Sequence, residues 1–179
     1  MLEKKKILRK IIKVRVSAIS AEEKAKREKL LLDNLFSMPE FLAANTVMLF
    51  ANLPDEIGTF SLIDKCITMG KKVFLPVIEG DEMTACEFTG EYRVGSYDIK
   101  EPVTPNSSLL TPNSIDFILV PGVAFSPNGY RLGRGKGYYD KFLSKYSNLF
   151  TVGVCFREQF YLDIPTEPHD IPMQRVLVI

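Results

Sequence analysis

Arginine, lysine and glycine alternate in one short stretch of the chain, within the motif RLGRGKGYYD. Its cations are Arg131, Arg134 and Lys136, and glycines separate them. Glycine costs roughly 0.5–1 kcal/mol relative to alanine inside a helix or strand, so this spacing favours a loop whose backbone lies close to a ligand. Guanidinium and ammonium groups form charge-assisted hydrogen bonds of about 1.5–3 kcal/mol. The stretch therefore predicts an anion-binding loop, and a phosphate is the first candidate.

A helix is predicted to begin at about Gly137, directly after this loop. Aromatic and apolar residues recur at helical spacing from Tyr139 to Tyr146 and would face the core. Backbone N–H groups in the first turn, together with the helix dipole, would add to the anion site. Tyr138 is expected to face the loop, where its ring could stack on a ligand. The loop matches neither GxxxxGKS/T nor GxGxxG, which excludes the P-loop and dinucleotide-binding motifs.

Asp140 lies in the first turn of this predicted helix and has two interpretations. It could be a carboxylate that interacts favourably with the helix dipole. Alternatively it could bind magnesium, since a polyphosphate beside a carboxylate generally carries Mg²⁺. Asp170, in the tail segment PTEPHDIP, could be a second ligand if the two segments meet. The neighbouring His169 is the only histidine, which excludes a multi-histidine metal site and is more typical of a structural residue.

Two further groups of charged residues have both an ordinary and a functional interpretation. Asp55 and Glu56 follow an apolar run that is predicted to be a buried strand. They could form a solvated turn or bind an amino or ring N–H group of a ligand. Lys5, Lys6 and Arg9 lie at helical spacing near the N-terminus. They could form a solvated helix face, or bind phosphates if this helix folds back over the site.

The sequence shows no motif for a protein nucleophile. It contains no GxSxG, no Cys/His pairing and no carboxylate pair with a clear acid–base pattern. If the chain is an enzyme, we expect the nucleophile to belong to the substrate.

Helices and strands alternate along the chain. Helices are predicted at about 3–16, 21–37, 39–44, 60–69 and 137–147, and strands at 46–51, 72–76, 83–88, 116–121, 151–155 and 175–178. This alternation predicts a single three-layer α/β domain over residues 1–179, with a mainly parallel sheet flanked by helices. Ligands of such sheets bind at the carboxyl ends of the strands, here the loops after Ala51, Pro121 and Phe156. Residues 90–113 are predicted to form a long ordered loop.

The composition is that of a soluble globular protein. Of the 179 residues 46% are hydrophobic and 25% charged, and the net charge of +1 gives no general case for binding nucleic acid or an anionic membrane. No segment approaches the roughly 18 apolar residues of a transmembrane helix, and the N-terminus lacks the pattern of a secretory signal. The cysteines show no CxxC spacing, which favours reduced thiols in the cytoplasm. We expect a monomer or a weak homodimer.

The stretch PGVAFSPNGYRLGRGKGYYDKFL resembles the signature of the 5-formyltetrahydrofolate cyclo-ligases, also called methenyltetrahydrofolate synthetases. KKKILR is similar to the N-terminal ATP-contacting segment of that family, LPDEIGT to its folate-contacting loop and PTEPHD to its C-terminal metal loop. Order and spacing agree, so the resemblance covers essentially the whole chain. Ser126 stands where an Asp is frequent, and the chain ends in LVI where the family often continues with a Thr-Glu pair.

The resemblance implies ATP- and Mg²⁺-dependent conversion of 5-formyltetrahydrofolate to 5,10-methenyltetrahydrofolate, with release of ADP and phosphate. The formyl oxygen would attack the γ-phosphate and the substrate's own N10 would close the ring, so no protein nucleophile is required. By position, Lys136 and Arg134 are implied as catalytic, and Asp140 and Asp170 as Mg²⁺ ligands. The implied ATP-binding residues are Lys5, Lys6, Arg9, Arg131, Leu132, Gly133, Arg134, Gly135, Lys136, Gly137, Tyr138 and Tyr139. The implied substrate-binding residues are Ala51, Glu56, Arg134, Gly135, Lys136, Gly137 and Tyr138.

Other functions remain compatible with the residues alone. The anion loop could belong to a small-molecule kinase, or to an enzyme that handles a sugar phosphate or coenzyme A. RGKGYY could instead combine basic residues with stacking aromatics in an RNA-binding module. The near-neutral net charge and the single short basic patch disfavour that last interpretation. We expect small-molecule substrates as partners, with no nucleic acid and no membrane.

Overall fold

A mainly parallel six-stranded sheet forms the centre of the fold. The computed structural model describes residues 1–95, 100–103, 115–146 and 149–179. The strands are β1 (Thr46–Met48), β2 (Lys72–Glu79), β3 (Glu82–Glu87), β4 (Tyr92–Val94), β5 (Lys100–Pro102), β6 (Phe117–Pro121), β7 (Ala124–Phe125), β8 (Arg131–Leu132), β9 (Phe150–Cys155) and β10 (Arg175–Val178). The central sheet has the order β10-β9-β6-β1-β2-β3. All its neighbours pair in parallel except β2 and β3, which confirms the predicted α/β class.

Helices flank this sheet at the positions that the hydrophobic spacing predicts. They are α1 (Leu2–Ser17), α2 (Ala21–Leu35), α3 (Pro39–Ala43), α4 (Phe60–Thr68) and α5 (Tyr138–Leu143). The Ser20 hydroxyl accepts a hydrogen bond from the Glu23 N–H at 3.1 Å, so the cap predicted for α2 is present. The helix α5 ends earlier than the predicted residue 147, which itself lies outside the described residues. Within the described ranges, no helix is both long and apolar enough to cross a membrane.

The strands divide the core into one hydrophobic cluster on each face of the sheet. Phe117 and Leu119 of β6 pack in the cluster that also holds the buried residues of α1, α2 and α4. Ile118 and Val120, which alternate with them, pack in the cluster that contains Phe142 of α5. Successive side chains of a strand point to opposite faces, so the apolar run of β6 is buried on both sides between two helical layers.

The prediction of a loop at residues 90–113 is wrong for the part of this range that the structure describes. The strands β4 and β5 form an antiparallel hairpin in which Tyr92 pairs with Pro102. The Tyr92 ring packs at 5.7 Å from that of Phe60 and at 4.4 Å from that of Phe88. The contact between Tyr92 and Phe60 joins residues far apart in sequence, so local periodicity could not reveal it. Residues 96–99 and 104–113 of this prediction lie outside the described residues.

A second hairpin precedes the glycine-rich loop. The strands β7 and β8 pair Ala124 with Leu132 and Phe125 with Arg131. Gly129 in the turn has a φ of 82°, and a Cβ there would collide with the Met173 carbonyl. The Met173 N–H donates to the Gly129 carbonyl at 2.8 Å. The turn thus fastens the tail of the chain to the start of the glycine-rich segment.

Candidate active site

A cleft of about 420 Å³ opens at the carboxyl-terminal edge of the sheet. Its walls come from the loops after β1 and β6, from β2, β3 and β5, and from the glycine-rich segment. Its lining residues are Phe50, Ala51, Leu53, Glu56, Pro76, Ile78, Met83, Glu101, Pro121, Gly122, Arg131, Arg134, Lys136, Gly137, Tyr138 and Tyr139. An apolar lining with a few charged groups is typical of a small-molecule site. The cleft lies at two of the three predicted loops, those after Ala51 and Pro121.

The glycine-rich segment begins with a buried part. Only 4% of the Arg131 side chain is exposed, and its guanidinium lies 3.0 Å from Asp140 Oδ1. The same guanidinium sits 5.7 Å from the centre of the Tyr139 ring. Leu132 is 1% exposed and packs in the core. Arg131 and Leu132 therefore belong to a strand and its packing, although the sequence pattern treats Arg131 like the later cations.

The rest of the segment, residues 133–137, is more open. Gly135 and Gly137 have φ angles of 110° and 69°, a region that side chains other than glycine rarely adopt. Lys136 is exposed and lines the cleft. Arg134 is also exposed, and its guanidinium lies 2.7 Å from Asp55 and 3.0 Å from Glu56. Desolvation lowers the pKa of Arg134, but its hydrogen bonds to the two carboxylates outweigh this and raise it.

Glu56 is a mostly buried carboxylate at the edge of the cleft. Only 11% of its side chain is exposed. One oxygen accepts from the Leu53 N–H at 2.9 Å, and the other accepts from Arg134 at 3.0 Å. Desolvation raises the pKa of Glu56, and this effect exceeds the opposing effects of the Leu53 N–H and the Arg134 charge. The structure thus brings Glu56 and Arg134, two of the residues predicted to bind substrate, into contact.

The first turn of α5 also faces the cleft. Gly137 precedes the helix in the left-handed region, and no side chain caps this helix start. Tyr138 donates a hydrogen bond to the Gly80 carbonyl at 3.3 Å. Burial raises the pKa of the Tyr139 phenol. Both tyrosines line the cleft and pack against the same hydrophobic cluster, so the expected division into one loop-facing and one core tyrosine is not seen.

The N-terminal helix α1 folds over the glycine-rich segment. Arg9 Nε donates to the Gly133 carbonyl at 2.8 Å. Lys5 is 8% exposed, and its ammonium lies 2.7 Å from Glu167 and 3.3 Å from Asp170. Desolvation lowers the pKa of Lys5, but these two carboxylates raise it by more. Lys5 and Arg9 are therefore at the site, whereas Lys6 is exposed to solvent.

The tail loop brings acidic groups to the same place. Oxygen or nitrogen ligand atoms of Glu167, His169 and Asp170 lie within 4.8 Å of one another. The Ile171 N–H donates to Asp140 Oδ1 at 3.2 Å, so the segments that carry Asp140 and Asp170 are in contact. Glu167 was not among the predicted metal ligands, although it stands three residues before Asp170 in the segment PTEPHDIP. The His169 side chain is 71% exposed.

Glu101 is a cleft residue that was also not predicted from the sequence. It is 2% exposed and comes from the hairpin β4–β5. Pro76, Ile78 and Met83 form the apolar wall beside it. A possible local signal was the β-prone run Tyr92–Val94, which indicates a strand. The position of Glu101 itself depends on packing between distant segments.

Known proteins are similar to this chain along its whole length. The model of the 5-formyltetrahydrofolate cyclo-ligase family matches residues 1–179. A 5-formyltetrahydrofolate cyclo-ligase from Mus musculus is 29% identical, with 97% of this chain and 92% of that protein covered. A probable 5-formyltetrahydrofolate cyclo-ligase from Caenorhabditis elegans is 30% identical over 98% of this chain and 92% of its own length.

A solved structure agrees with these relatives. The NMR structure of Aquifex aeolicus 5,10-methenyltetrahydrofolate synthetase superimposes with a TM-score of 0.86 at 34% identity, and covers 97% of this chain and 89% of that one. The family model, the sequence relatives and this solved structure name the same group of enzymes. The chain belongs to the 5-formyltetrahydrofolate cyclo-ligase family, a family of ligases.

Proposed function

We propose that this protein converts 5-formyltetrahydrofolate and ATP to 5,10-methenyltetrahydrofolate, ADP and phosphate. The observation that carries the proposal is the composition of one cleft. Exposed cations and glycines of residues 133–137 lie at one side, and an apolar wall with buried carboxylates lies at the other. The first side suits phosphates, and the second suits a flat heterocycle with N–H donors. The family name describes the same reaction class.

The phosphate side is assigned to the N-terminal helix and the glycine-rich segment. Lys5, Lys6 and Arg9 would contribute positive charge from α1, and residues 131–139 would surround the phosphates. Arg9 holds the Gly133 carbonyl, so it would also fix the shape of the loop. Lys136 and Arg134 would stabilise the charge on the transferred phosphoryl group, which is the main task in phosphoryl transfer.

The folate side is assigned to Ala51, Glu56 and Tyr138 together with the backbone at residues 134–137. Glu56 can accept a hydrogen bond from an N–H group of the substrate. The Tyr138 ring, which lines the cleft, can stack on a flat ring. Because Arg134 contacts Glu56 directly, the two halves of the cleft meet at this ion pair.

In the first step the formyl oxygen attacks the γ-phosphorus, and the bond from that phosphorus to ADP breaks. In the second step the substrate's N10 attacks the formyl carbon and loses its proton. The carbon–oxygen bond then breaks, and phosphate leaves with the former formyl oxygen. The protein's part is to hold the formyl oxygen in line with the γ-phosphate and to neutralise the phosphates.

Asp140 and Asp170 are the residues proposed to hold Mg²⁺. The donor set fits the ion, because Mg²⁺ prefers carboxylate oxygens and because Asp170 lies in the acidic group with Glu167. Asp140 adjoins that group through the Ile171 N–H. When bound, the ion supplies positive charge to the ATP phosphates. The Lys5 ammonium neutralises Glu167 and Asp170 in the structure described here.

We also propose that the protein works in the cytoplasm, as one domain and as a monomer or weak homodimer. The support for the compartment comes from the cysteines. Cys66, Cys86 and Cys155 are all buried free thiols, in keeping with a reducing environment.

The direct test mixes the protein with 5-formyltetrahydrofolate and Mg·ATP and follows the absorbance of the methenyl product. We expect absorbance to rise only when all components are present, with one ADP released per product. A reaction that releases ADP without methenyl absorbance would favour a kinase instead. A rise that is unchanged when ATP is omitted would contradict the proposal.

A further inference from the structure

Glu101 is a buried carboxylate that the reaction proposed above leaves without a role. It lies on β5 and lines the cleft, and only 3% of its side chain is exposed. Its neighbours in the wall include Pro76 and Met83. Burying a carboxylate among apolar groups is costly unless hydrogen bonds or charges compensate. The hydrogen-bond partners of Glu101 therefore show how much of the cost of burying its carboxylate is compensated within the protein.

Those partners leave acceptor capacity on the carboxylate. Oε1 accepts from the Ile78 N–H at 3.2 Å. Oε2 lies 3.4 Å from an Arg93 nitrogen, and 52% of the Arg93 side chain is exposed. A 3.4 Å contact is at the long limit for a hydrogen bond, and solvent screens a half-exposed cation. Each carboxylate oxygen can accept two hydrogen bonds, so Glu101 can accept more hydrogen bonds than those that Ile78 and Arg93 donate within the described part of the chain.

The backbone near Glu101 leaves space for its carboxylate and donates a hydrogen bond to it. A Cβ at Gly95 would collide with the Glu101 carboxylate, so the hairpin passes this close only because residue 95 is glycine. β1 pairs with β2 only as far as Met48 and Phe74. Beyond that point Glu101 accepts the N–H of Ile78. Satisfying this N–H is a structural role, but an uncharged amide would fill it as well.

We propose that Glu101 is a specificity-determining residue that accepts hydrogen bonds from N–H groups of the reduced pteridine of 5-formyltetrahydrofolate. This inference rests on the proposed function. The pyrimidine ring of the folate's 2-amino-4-oxopteridine carries an amino group beside a ring N–H, and two neighbouring donors match the two oxygens of a carboxylate. The apolar side chains of Pro76, Ile78 and Met83 would contact the flat ring. Glu56 would add an acceptor on the Arg134 side of the cleft.

A carboxylate in this position would also make the site selective for substrates that carry these N–H groups. A site built to accept from substrate N–H groups rejects analogues that lack them, because its buried acceptors are then left unsatisfied. The cost is larger for a charged acceptor in an apolar wall than for one in water. We therefore expect Glu101 to affect the binding of the folate and not that of ATP.

The test compares Glu101→Gln with Glu79→Gln, a matched control. Glu79 is exposed and follows Ile78 in β2, so its substitution removes the same charge nearby but outside the cleft lining. The glutamine at position 101 keeps an oxygen for the Ile78 N–H. Calorimetry with 5-formyltetrahydrofolate alone, and separately with Mg·ATP, gives the two affinities, and thermal unfolding gives Tm.

We expect Glu101→Gln to weaken folate binding at least about tenfold, roughly 1.4 kcal/mol, with ATP affinity and Tm unchanged. Glu101→Asp, which keeps the charge, should restore part of the affinity, and Glu79→Gln should match the wild type. Unchanged folate affinity in Glu101→Gln would overturn the proposal. So would equal losses for both ligands together with a lowered Tm.

Binding is measured without turnover, so this test can fail separately from the proposed reaction. If the wild type binds the folate but forms no methenyl product, the reaction is wrong and the role of Glu101 can still be upheld. If the wild type does not bind 5-formyltetrahydrofolate, both are overturned.

Discussion

The two parts of the glycine-rich segment use the same residue types for different purposes. Arg131 lies in β8 with 4% of its side chain exposed and is paired with Asp140. Arg134, three positions later, is 47% exposed and is paired with Asp55 and Glu56 at the mouth of the cleft. Both arginines line the cleft, but Arg131 is almost fully buried in an ion pair, whereas Arg134 lies on an exposed surface.

The difference between these arginines lies in desolvation. A buried ion pair is costly to break, because the remaining charge stays buried. An exposed pair contributes little to stability, because water and salt replace the lost partner. We therefore expect substitutions in the buried part to act first on stability, and substitutions in the open part to act on catalysis and binding.

The largest effect is expected for Arg131→Ala. The variant leaves Asp140 without its guanidinium partner, which should lower the free energy of unfolding by about 3–5 kcal/mol. For a chain of this size that corresponds to a fall in Tm of roughly 6–20 °C. Thermal and urea unfolding would measure it, with Arg134→Ala as the comparison, which should lose less stability because about half of the Arg134 side chain is already exposed to solvent. Equal stability of the two variants would remove the distinction between the two parts.

Lys136→Ala tests the open part. The lysine is exposed and lines the cleft, so its loss should lower turnover at least about tenfold, or roughly 1.4 kcal/mol of barrier. Tm should not change. The methenyl absorbance assay gives the rate, and near-normal turnover would place Lys136 outside the reaction.

Asp140→Asn asks whether the carboxylate that holds Arg131 also binds the metal. If it does, the Mg²⁺ concentration that gives half-maximal turnover should rise several-fold, because the amide is a weaker ligand for a hard cation. A Mg²⁺ titration of the methenyl assay at saturating ATP measures this change. An unchanged half-maximal concentration, with only Tm lowered, would leave Asp140 as the partner of Arg131 alone.

The smallest expected effect is a shift in the pH dependence of folate binding. Desolvation raises the pKa of Glu56, and the Arg134 charge lowers it. In Arg134→Ala the loss of that positive charge should raise the pKa further. Because folate binding is proposed to need the ionised carboxylate, its loss on acidification should begin at a higher pH in the variant. Calorimetry across the acid range measures the shift.

The matching control for this shift is Asp55→Asn. The Asp55 charge raises the pKa of Glu56, so removing it should move the loss of folate binding to lower pH. Movement of both variants in the same direction would contradict the role given to the Glu56 carboxylate.

Sequence alone predicted the central sheet and the main helices well. The apolar run from Phe117 to Pro121 indicated a strand buried on both faces, and it is the centre of the parallel sheet. The Ser20 cap and the helical spacing of α1 and α2 are local signals and were confirmed. The position of the cleft also followed, because ligands of parallel sheets bind at the carboxyl ends of strands.

The parts that could not be predicted depend on contacts between distant segments. Glu101 lies where its carboxylate accepts a hydrogen bond from the Ile78 N–H of β2, and the Tyr92 ring of the same hairpin packs on Phe60 of α4. Arg131 is buried where its guanidinium contacts Asp140 of α5 and the Ile171 carbonyl of the tail. In both cases the local sequence contains a charged residue but does not indicate whether that residue is buried. Only the tertiary packing decides which charges are desolvated.

The central claim is that the formyl oxygen attacks the γ-phosphate, while the protein only positions the two substrates and neutralises the charge on the phosphates. The most direct test uses 5-formyltetrahydrofolate labelled with ¹⁸O in the formyl group and analyses the released phosphate by mass spectrometry. We predict one labelled oxygen in the phosphate for each methenyl product formed. Unlabelled phosphate formed together with the methenyl product would contradict the claim.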